Sequence, residues 1–116
     1  MGFVLAPVEA IRVVVEIEVP GDYGRTEKAD LDVKYKKLPV SELEELGKGE
    51  GAKRSMRDVV RENILDIQGI KTPEGQDIPY SESVRDDLLN MTYVLNPLIA
   101  SFWRAQNGQK QEAEKN

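Results

Sequence analysis

The side chains that most often carry out catalysis are missing from this sequence. It contains no histidine and no cysteine. Histidine is the commonest general base and a common metal ligand, while cysteine thiolates act as nucleophiles and bind zinc. Their joint absence excludes serine–histidine and cysteine–histidine catalysis, most zinc sites and pH switching by histidine.

Carboxylates are the remaining candidates for chemistry. Asp30 and Asp32 alternate along a predicted strand, so they share its polar face. Paired carboxylates can hold Mg²⁺ or do acid–base work, and a metal-dependent enzyme is therefore one hypothesis. An ordinary solvated strand face has the same pattern, and we favour that interpretation. Asp86 and Asp87 fall in the first turns of a predicted helix, where acidic residues stabilise the helix dipole.

Two further motifs look like ligand sites but lack an essential part. Residues 47–51 read Gly-Lys-Gly-Glu-Gly, yet no Gly-Lys-Ser/Thr follows as a phosphate loop requires, so we predict a hinge between two helical segments. A basic patch lies on the next predicted helix and follows an acidic stretch, which favours electrostatic packing or a polar protein contact. The basic residues are Lys53, Arg54, Arg57 and Arg61, and the acidic ones are Glu42, Glu44, Glu45 and Glu50.

Composition indicates a folded, acidic single domain. The 116 residues are 40% hydrophobic and 32% charged, with a net charge of −5. An acidic surface repels phosphate backbones, so we expect no nucleic-acid partner. No apolar run approaches the ~20 residues of a membrane-spanning helix, and residues 1–7 do not resemble a secretory signal. We therefore expect no membrane partner and a cytoplasmic location.

Two segments with a period of two predict an antiparallel β-hairpin. Every second residue from Ile11 to Val19 is β-branched, with Arg12, Val14, Glu16 and Glu18 on the opposite face. Residues 29–36 alternate apolar and charged side chains as cleanly. Pro20-Gly21 ends the first segment, and residues 21–28 between the two segments are predicted to form a mobile loop. One face of the hairpin should be packed and the other wet.

Helical patterns follow the hairpin. Ser41 and Glu44 form a capping-box pattern that predicts a short helix through residue 46. Residues 53–67 predict a longer helix with one apolar stripe. Leu65 lies nearly opposite that stripe and is either a scattered surface leucine or part of a contact surface. The stripe consists of Met56, Val59, Val60, Ile64 and Ile67.

The sequence pattern of the C-terminal half predicts two more helices and a tail. A turn at residues 72–75 precedes Ser81, a predicted N-cap for a helix over residues 82–95. Asn96 and Pro97 are predicted to restart a helix. We predict one α+β domain over residues 1–105, an antiparallel sheet packed against three to four helices. Residues 106–116 contain no large apolar residue and should form a disordered tail.

The C-terminal helices carry more apolar surface than one packed face needs. These residues either complete the core or remain partly exposed as anchors for another protein. Together with Leu65, the candidate protein-binding residues are Leu89, Tyr93, Ile99, Phe102 and Trp103.

Over residues 10–104 the order of elements resembles the tail assembly chaperones of long-tailed phages. The resemblance rests on the alternating N-terminal strands, a central helix, Asp-Ile-Gln-Gly-Ile at residues 66–70 and Glu-Gly-Gln-Asp-Ile-Pro-Tyr-Ser at residues 74–81. An acidic helix and a terminal aromatic helix with Phe102 and Trp103 follow. Ile64 or Ile67 stands where the family commonly has tryptophan, which is a departure.

The resemblance implies a noncatalytic protein without cofactors. Such chaperones coat the tape-measure protein, a long helical client, in the bacterial cytoplasm until tail-tube subunits polymerise around it. A chaperone of this kind should bind an amphipathic or apolar helix of the client in a groove between its own helices. Self-association into oligomers is a second candidate contact. A small structural protein of the virion, such as a neck or tail-completion subunit, is the alternative.

Overall fold

A long antiparallel hairpin begins the sheet. The computed structural model describes residues 2–46 and 55–108, and it places β1 at Ala10–Pro20 and β2 at Thr26–Lys36. The strands pair without a register shift from Ala10–Lys36 to Pro20–Thr26. Both predicted strands are confirmed, since alternate side chains are buried on one face. The buried ones are Val15, Ile17, Leu31, Val33 and Tyr35.

The connection between these strands is a tight turn, so the prediction of a mobile loop over residues 21–28 is wrong. A single 3-10 turn at Asp22–Gly24 reverses the chain, and the Gly21 N–H donates to the Arg25 carbonyl over 2.7 Å. Because Pro20 lies opposite Thr26, only five residues separate the strands. Tyr23 adopts a left-handed φ of 60° at the tip, with its ring exposed to solvent.

The third strand was not predicted. The expected helix over residues 53–67 ends at Asn63, as α2 (Met56–Asn63), and the chain continues as β3 (Ile64–Gln68). β3 pairs antiparallel with β2, giving the order β1-β2-β3. A register shift opposite Lys34 and Tyr35 lets Ile64 and Ile67, three positions apart, both reach the core. Pairing with β2 therefore overrides a local pattern that equally suits a helix.

The short helix after the hairpin begins earlier than predicted. α1 spans Val40–Glu45 with Pro39 at its N-cap and no side-chain capping bond. The predicted capping box is wrong because Ser41 lies inside the first turn, past the position at which its hydroxyl could cap. The predicted hinge at residues 47–51 lies outside the described part of the chain.

The two C-terminal helices are divided at a different point from the predicted one. Ser81 caps α3 (Glu82–Leu89) as expected, since its hydroxyl accepts the Val84 N–H over 3.1 Å. The predicted continuation to residue 95 is wrong, because Met91 is extended and starts α4 (Thr92–Gln106). α4 then runs through Pro97, which lacks the N–H that would bond to the carbonyl four residues earlier. The break lets α3 and α4 bury apolar residues in one core from different directions.

The end of α4 is fixed to the end of β2 by one side chain. Gln106 is buried, accepts the Leu38 N–H and donates to the Lys36 carbonyl, each over 2.8 Å. The predicted tail therefore began too early, at a residue that belongs to the core. Residues 109–116 of that tail lie outside the described residues. No helix of the described ranges is long and apolar enough to cross a bilayer.

These elements form the predicted α+β arrangement, an antiparallel sheet with helices on its buried face. Within residues 2–46 and 55–108, no buried side-chain nitrogen or oxygen lacks a hydrogen-bond partner. The helices bring the rest of the core against the sheet. Their buried apolar residues are Val59, Val60, Leu89, Val94, Leu98, Phe102 and Ala105.

Tyr35 provides a prediction about alkaline pH. Its hydroxyl lies 2.6 Å from the Ser101 hydroxyl and donates to the Leu98 carbonyl over 3.0 Å. Burial raises the pKa of Tyr35 above its usual value of 10.0. The unfolded chain therefore loses this proton first, and stability should fall above pH ~10 by about 1.4 kcal/mol per pH unit from this group.

Urea titrations of the wild type and Tyr35→Phe between pH 7 and pH 11 measure this effect. At pH 7 the variant should lose about 0.5–1.5 kcal/mol, because a buried hydrogen bond is removed. The gap between the two proteins should narrow as the pH rises past 10. A gap that stays constant would mean that Tyr35 ionises equally readily in both states.

The glycine that follows β3 gives a second stability prediction. Gly69 has a φ of +93°, and a Cβ added there would lie 3.1 Å from the Asp30 carbonyl oxygen. Gly75, in the confirmed turn at residues 72–75, has a similar φ of +88° with nothing within 4 Å. Gly75→Ala should cost about 1–2 kcal/mol from the backbone conformation alone, and Gly69→Ala should cost more. If thermal melts give equal losses of stability for Gly69→Ala and Gly75→Ala, a Cβ at residue 69 does not press against β2.

Candidate functional site

The outward face of the sheet holds the carboxylates that sequence suggested for chemistry. Asp30 and Asp32 lie on this face as predicted, but Asp32 is engaged by Arg12, whose Nη1 is 2.7 Å from its carboxylate. The Arg12 Nη2 is 2.9 Å from Asp66 on β3. Arg12 thus joins all three strands, and its hydrogen bonds to Asp66 and then Asp32 raise its pKa.

This arrangement suits a structural role better than a metal site. A guanidinium already holds Asp32 and Asp66, and a divalent cation would have to displace it. In the described ranges, no group of three or more acidic side chains is placed to hold a metal ion. Asp66 was missed as a partner of Arg12 because the sequence pattern put it on a helix.

Two of the other charged candidates, Arg61 and Asp86, form local ion pairs. On α2, Arg61 lies 3.1 Å from Asp58 one turn away, while Arg57 is exposed. On α3, Asp86 pairs with Arg85 over 3.0 Å. Lys53, Arg54 and Glu50 lie outside the described residues, so the structure describes only part of the predicted basic patch and of its acidic partners. The remaining acidic partners are exposed on α1: Glu42, Glu44 and Glu45.

Two of the predicted contact residues are core residues. Leu89 is 2% exposed and Phe102 is fully buried, so assigning them to a contact surface of the folded protein is wrong. Phe102 packs edge-on against Tyr35 with ring centroids 5.5 Å apart. The helical wheel could show that a second stripe exists but could not show that α2 and the sheet cover it.

The remaining contact candidates differ in accessibility. Tyr93, Ile99 and Trp103 are partly buried against the core along α4. Trp103 also packs edge-on against Phe102, with ring centroids 5.2 Å apart. Leu65 is 46% exposed on β3 and keeps its status as a possible surface contact. These residues do not form one continuous patch with Leu89 and Phe102, because those two point inward.

The most exposed apolar segment precedes β1 and was missed by the sequence analysis. We call residues 2–9 the apolar arm. Phe3 is 92% exposed and Leu5 is 96% exposed, and Val4 and Val8 are also exposed. The signal available in the sequence was the run Phe-Val-Leu-Ala-Pro-Val at residues 3–8. Isolated exposed apolar residues are ordinary, but four on one short segment make it a candidate contact site.

The arm is attached to the sheet at its base. The Lys37 N–H donates to the Glu9 carbonyl over 2.9 Å, which extends the β1–β2 pairing by one step. Beyond that point the chain after β2 turns away, because the Leu38 N–H is taken by Gln106. Pro7 removes one donor from the arm, and the Ala6 N–H bonds locally to the Val4 carbonyl. The arm therefore leaves the fold at a defined place and presents apolar side chains to solvent.

Comparison with known proteins adds no assignment. No family model, curated protein or solved structure matches this chain.

Proposed function

We propose that this protein is a noncatalytic tail assembly chaperone of a long-tailed phage. It binds the tape-measure protein in the bacterial cytoplasm and keeps that long helical client soluble while the tail tube forms around it. The observation that carries the proposal is the apolar arm, with Phe3 and Leu5 almost fully exposed on an otherwise acidic protein. We identify the client from the resemblance of residues 10–104 to tail assembly chaperones.

The properties of a holdase follow from this arrangement. An acidic body, with a net charge of −5, opposes aggregation of the chaperone and of any complex that it coats. An arm with accessible side chains can bind an apolar client face without unfolding the domain. Many copies along one long client would keep more of its apolar surface from aggregating, because each bound copy shields another stretch.

The surface that we propose for client binding is the apolar arm, and not the groove between helices expected from the sequence. The inward residues of α3 and α4 pack against the sheet, and Leu89 and Phe102 are unavailable. The client would instead lie against the arm. Leu65, Tyr93, Ile99 and Trp103 remain as secondary contacts because each keeps some accessible surface.

The alternative is a small structural subunit of the virion, and the same arm supports it. An exposed apolar arm also suits a permanent contact with a neighbouring subunit. Mass spectrometry of purified phage particles separates the two functions. A chaperone should be found in the infected cell and be absent from particles, whereas a neck or tail-completion subunit should be retained in a fixed number of copies.

A metal-dependent enzyme at Asp30 and Asp32 is the remaining hypothesis. Calorimetric titration with Mg²⁺, Mn²⁺ and Ca²⁺ tests it directly. We expect no saturable heat, because Arg12 holds Asp32 and the neighbouring Asp66. Tight binding that disappears in Asp30→Ala would contradict the noncatalytic proposal.

A further inference from the structure

Helix α4 ends in an exposed Asn-Gly pair. Asn107 is the C-cap residue of α4 and Gly108 follows it, and both residues are exposed. The side-chain amide of asparagine is chemically labile, because the backbone nitrogen of the next residue can attack it. Glycine has no Cβ and therefore hinders this attack least. The pair is thus a place at which the chain can modify itself.

The modification needs only the chain and water. The Gly108 nitrogen attacks the side-chain carbonyl carbon of Asn107, and a carbon–nitrogen bond forms. The side-chain nitrogen leaves as ammonia and takes the proton of the Gly108 N–H. Water then opens the cyclic imide at either of its carbonyls, which leaves aspartate or isoaspartate at this position. Overall an amide and a water become a carboxyl group and an ammonia, and no electrons are gained or lost.

The last turn of α4 holds the attacking nitrogen weakly. The Gly108 N–H donates to the Ala105 carbonyl over 3.3 Å, which is longer than an ordinary hydrogen bond of this kind. Helix ends also fray more readily than the core opens. Fraying of this one turn would free the Gly108 nitrogen while the buried residues of α4 stay packed.

Asn90 provides a comparison within the same chain. It is the exposed C-cap residue of α3, with φ −88° and ψ 0°, and the corresponding angles at Asn107 are −89° and 1°. Because the backbone conformations are the same, the two positions differ mainly in the residue that follows. Met91 follows Asn90 and carries a side chain, whereas Asn96 is followed by Pro97, which has no N–H to attack with.

A carboxylate at position 107 would lie next to the side chain that attaches α4 to β2. Gln106 accepts the Leu38 N–H and donates to the Lys36 carbonyl, each over 2.8 Å. Negative charge is unfavourable at the C-terminal end of a helix, because the last carbonyls already carry partial negative charge. Arg104 in the last turn offsets only part of this effect, and isoaspartate would also lengthen the backbone there. The modified chain should therefore release Gln106 more often.

We propose that Asn107 and Gly108 form a spontaneous deamidation site, and that deamidation loosens the attachment of α4 to β2 through Gln106. The two groups that Gln106 binds lie on either side of Lys37, whose N–H holds the base of the apolar arm through the Glu9 carbonyl. Deamidation consequently changes the order of the chain at the base of the arm as the protein ages.

Peptide mass spectrometry of the full chain, after incubation in warm and mildly alkaline buffer, tests the site. Asn107 should convert to aspartate and isoaspartate at least about tenfold faster than Asn90, and Asn96 should stay intact. Met91→Gly creates the same pair at the end of α3 and should make Asn90 labile as well. Equal rates at Asn107 and Asn90 in the wild type would overturn the deamidation site.

Hydrogen exchange of the Leu38 amide, which is bonded to Gln106, tests the consequence. Asn107→Asp introduces the charge without the reaction and should speed this exchange severalfold. Asn107→Gln keeps an amide, and Asn90→Asp places the same charge at the end of α3, so both should exchange like the wild type. If Asn107→Asp also exchanges like the wild type, deamidation does not loosen the attachment and this part of the proposal is overturned.

Discussion

Phe102→Ala should lower the free energy of unfolding by about 3–5 kcal/mol. The ring is fully buried and packs edge-on against Tyr35 and Trp103, so its removal leaves a cavity between α4 and the sheet. A loss of this size is a large part of the total stability of a small domain, which is typically 5–15 kcal/mol. Urea unfolding followed by tryptophan fluorescence and circular dichroism measures it.

The sequence contains only one other phenylalanine, which provides the matched control. Phe3→Ala removes the same ring from a position that is 92% exposed, so the free energy of unfolding should change by less than about 0.5 kcal/mol. Similar losses in the two variants would mean that Phe3 is packed in solution. The arm would then be part of the core rather than a contact site.

Phe3→Ser/Leu5→Ser should reduce the amount of tape-measure protein that co-purifies with this chain by at least about tenfold. Burying a large apolar side chain contributes about 1.5–3 kcal/mol, and the variant removes two of them from the proposed contact. The domain should remain folded, because both side chains are more than nine-tenths exposed. Co-expression followed by affinity capture of this chain measures the effect.

Val14→Ser/Tyr23→Ser is the control for this prediction. Both side chains are exposed, and they lie on β1 and at the tip of the hairpin rather than on the arm. The control should retain client. If this control loses as much client as the arm variant, the contact surface is the sheet or general surface hydrophobicity.

The hairpin could be predicted because its information is local. Every second residue from Ile11 to Val19 is apolar, and burial follows that alternation. The turn at residues 72–75 and the cap at Ser81 depend on residues within a few positions of one another, and both are confirmed. Local patterns of this kind depend little on the rest of the fold.

β3 could not be predicted because its stability comes from a distant strand. Ile64 and Ile67 fit a helical stripe, and only the register shift against β2 lets both face the core from a strand.

The division of the C-terminal helices at Met91 also depends on packing against distant residues. Asn96 and Pro97 carry a strong local signal for a helix start, but packing of Val94 and Leu98 in one core keeps α4 continuous.

The candidate site was harder to predict than the fold. Amphipathic periodicity shows that a helix has apolar residues but not which neighbour covers them, so it leaves open whether Leu89 and Phe102 complete the core or remain exposed. The arm was overlooked because its apolar run has neither a period of two nor a helical period. The arm is exposed because the chain after Lys37 turns away and leaves residues 2–8 beyond the sheet.

Co-expression of this chain with the tape-measure protein is the most direct test of the central claim. The soluble fraction of the tape-measure protein is measured with and without this chain at matched expression levels. The proposal predicts that the client aggregates alone and becomes soluble in a complex with this chain. If the client is equally soluble in both cases and no complex forms, this protein does not act by binding it.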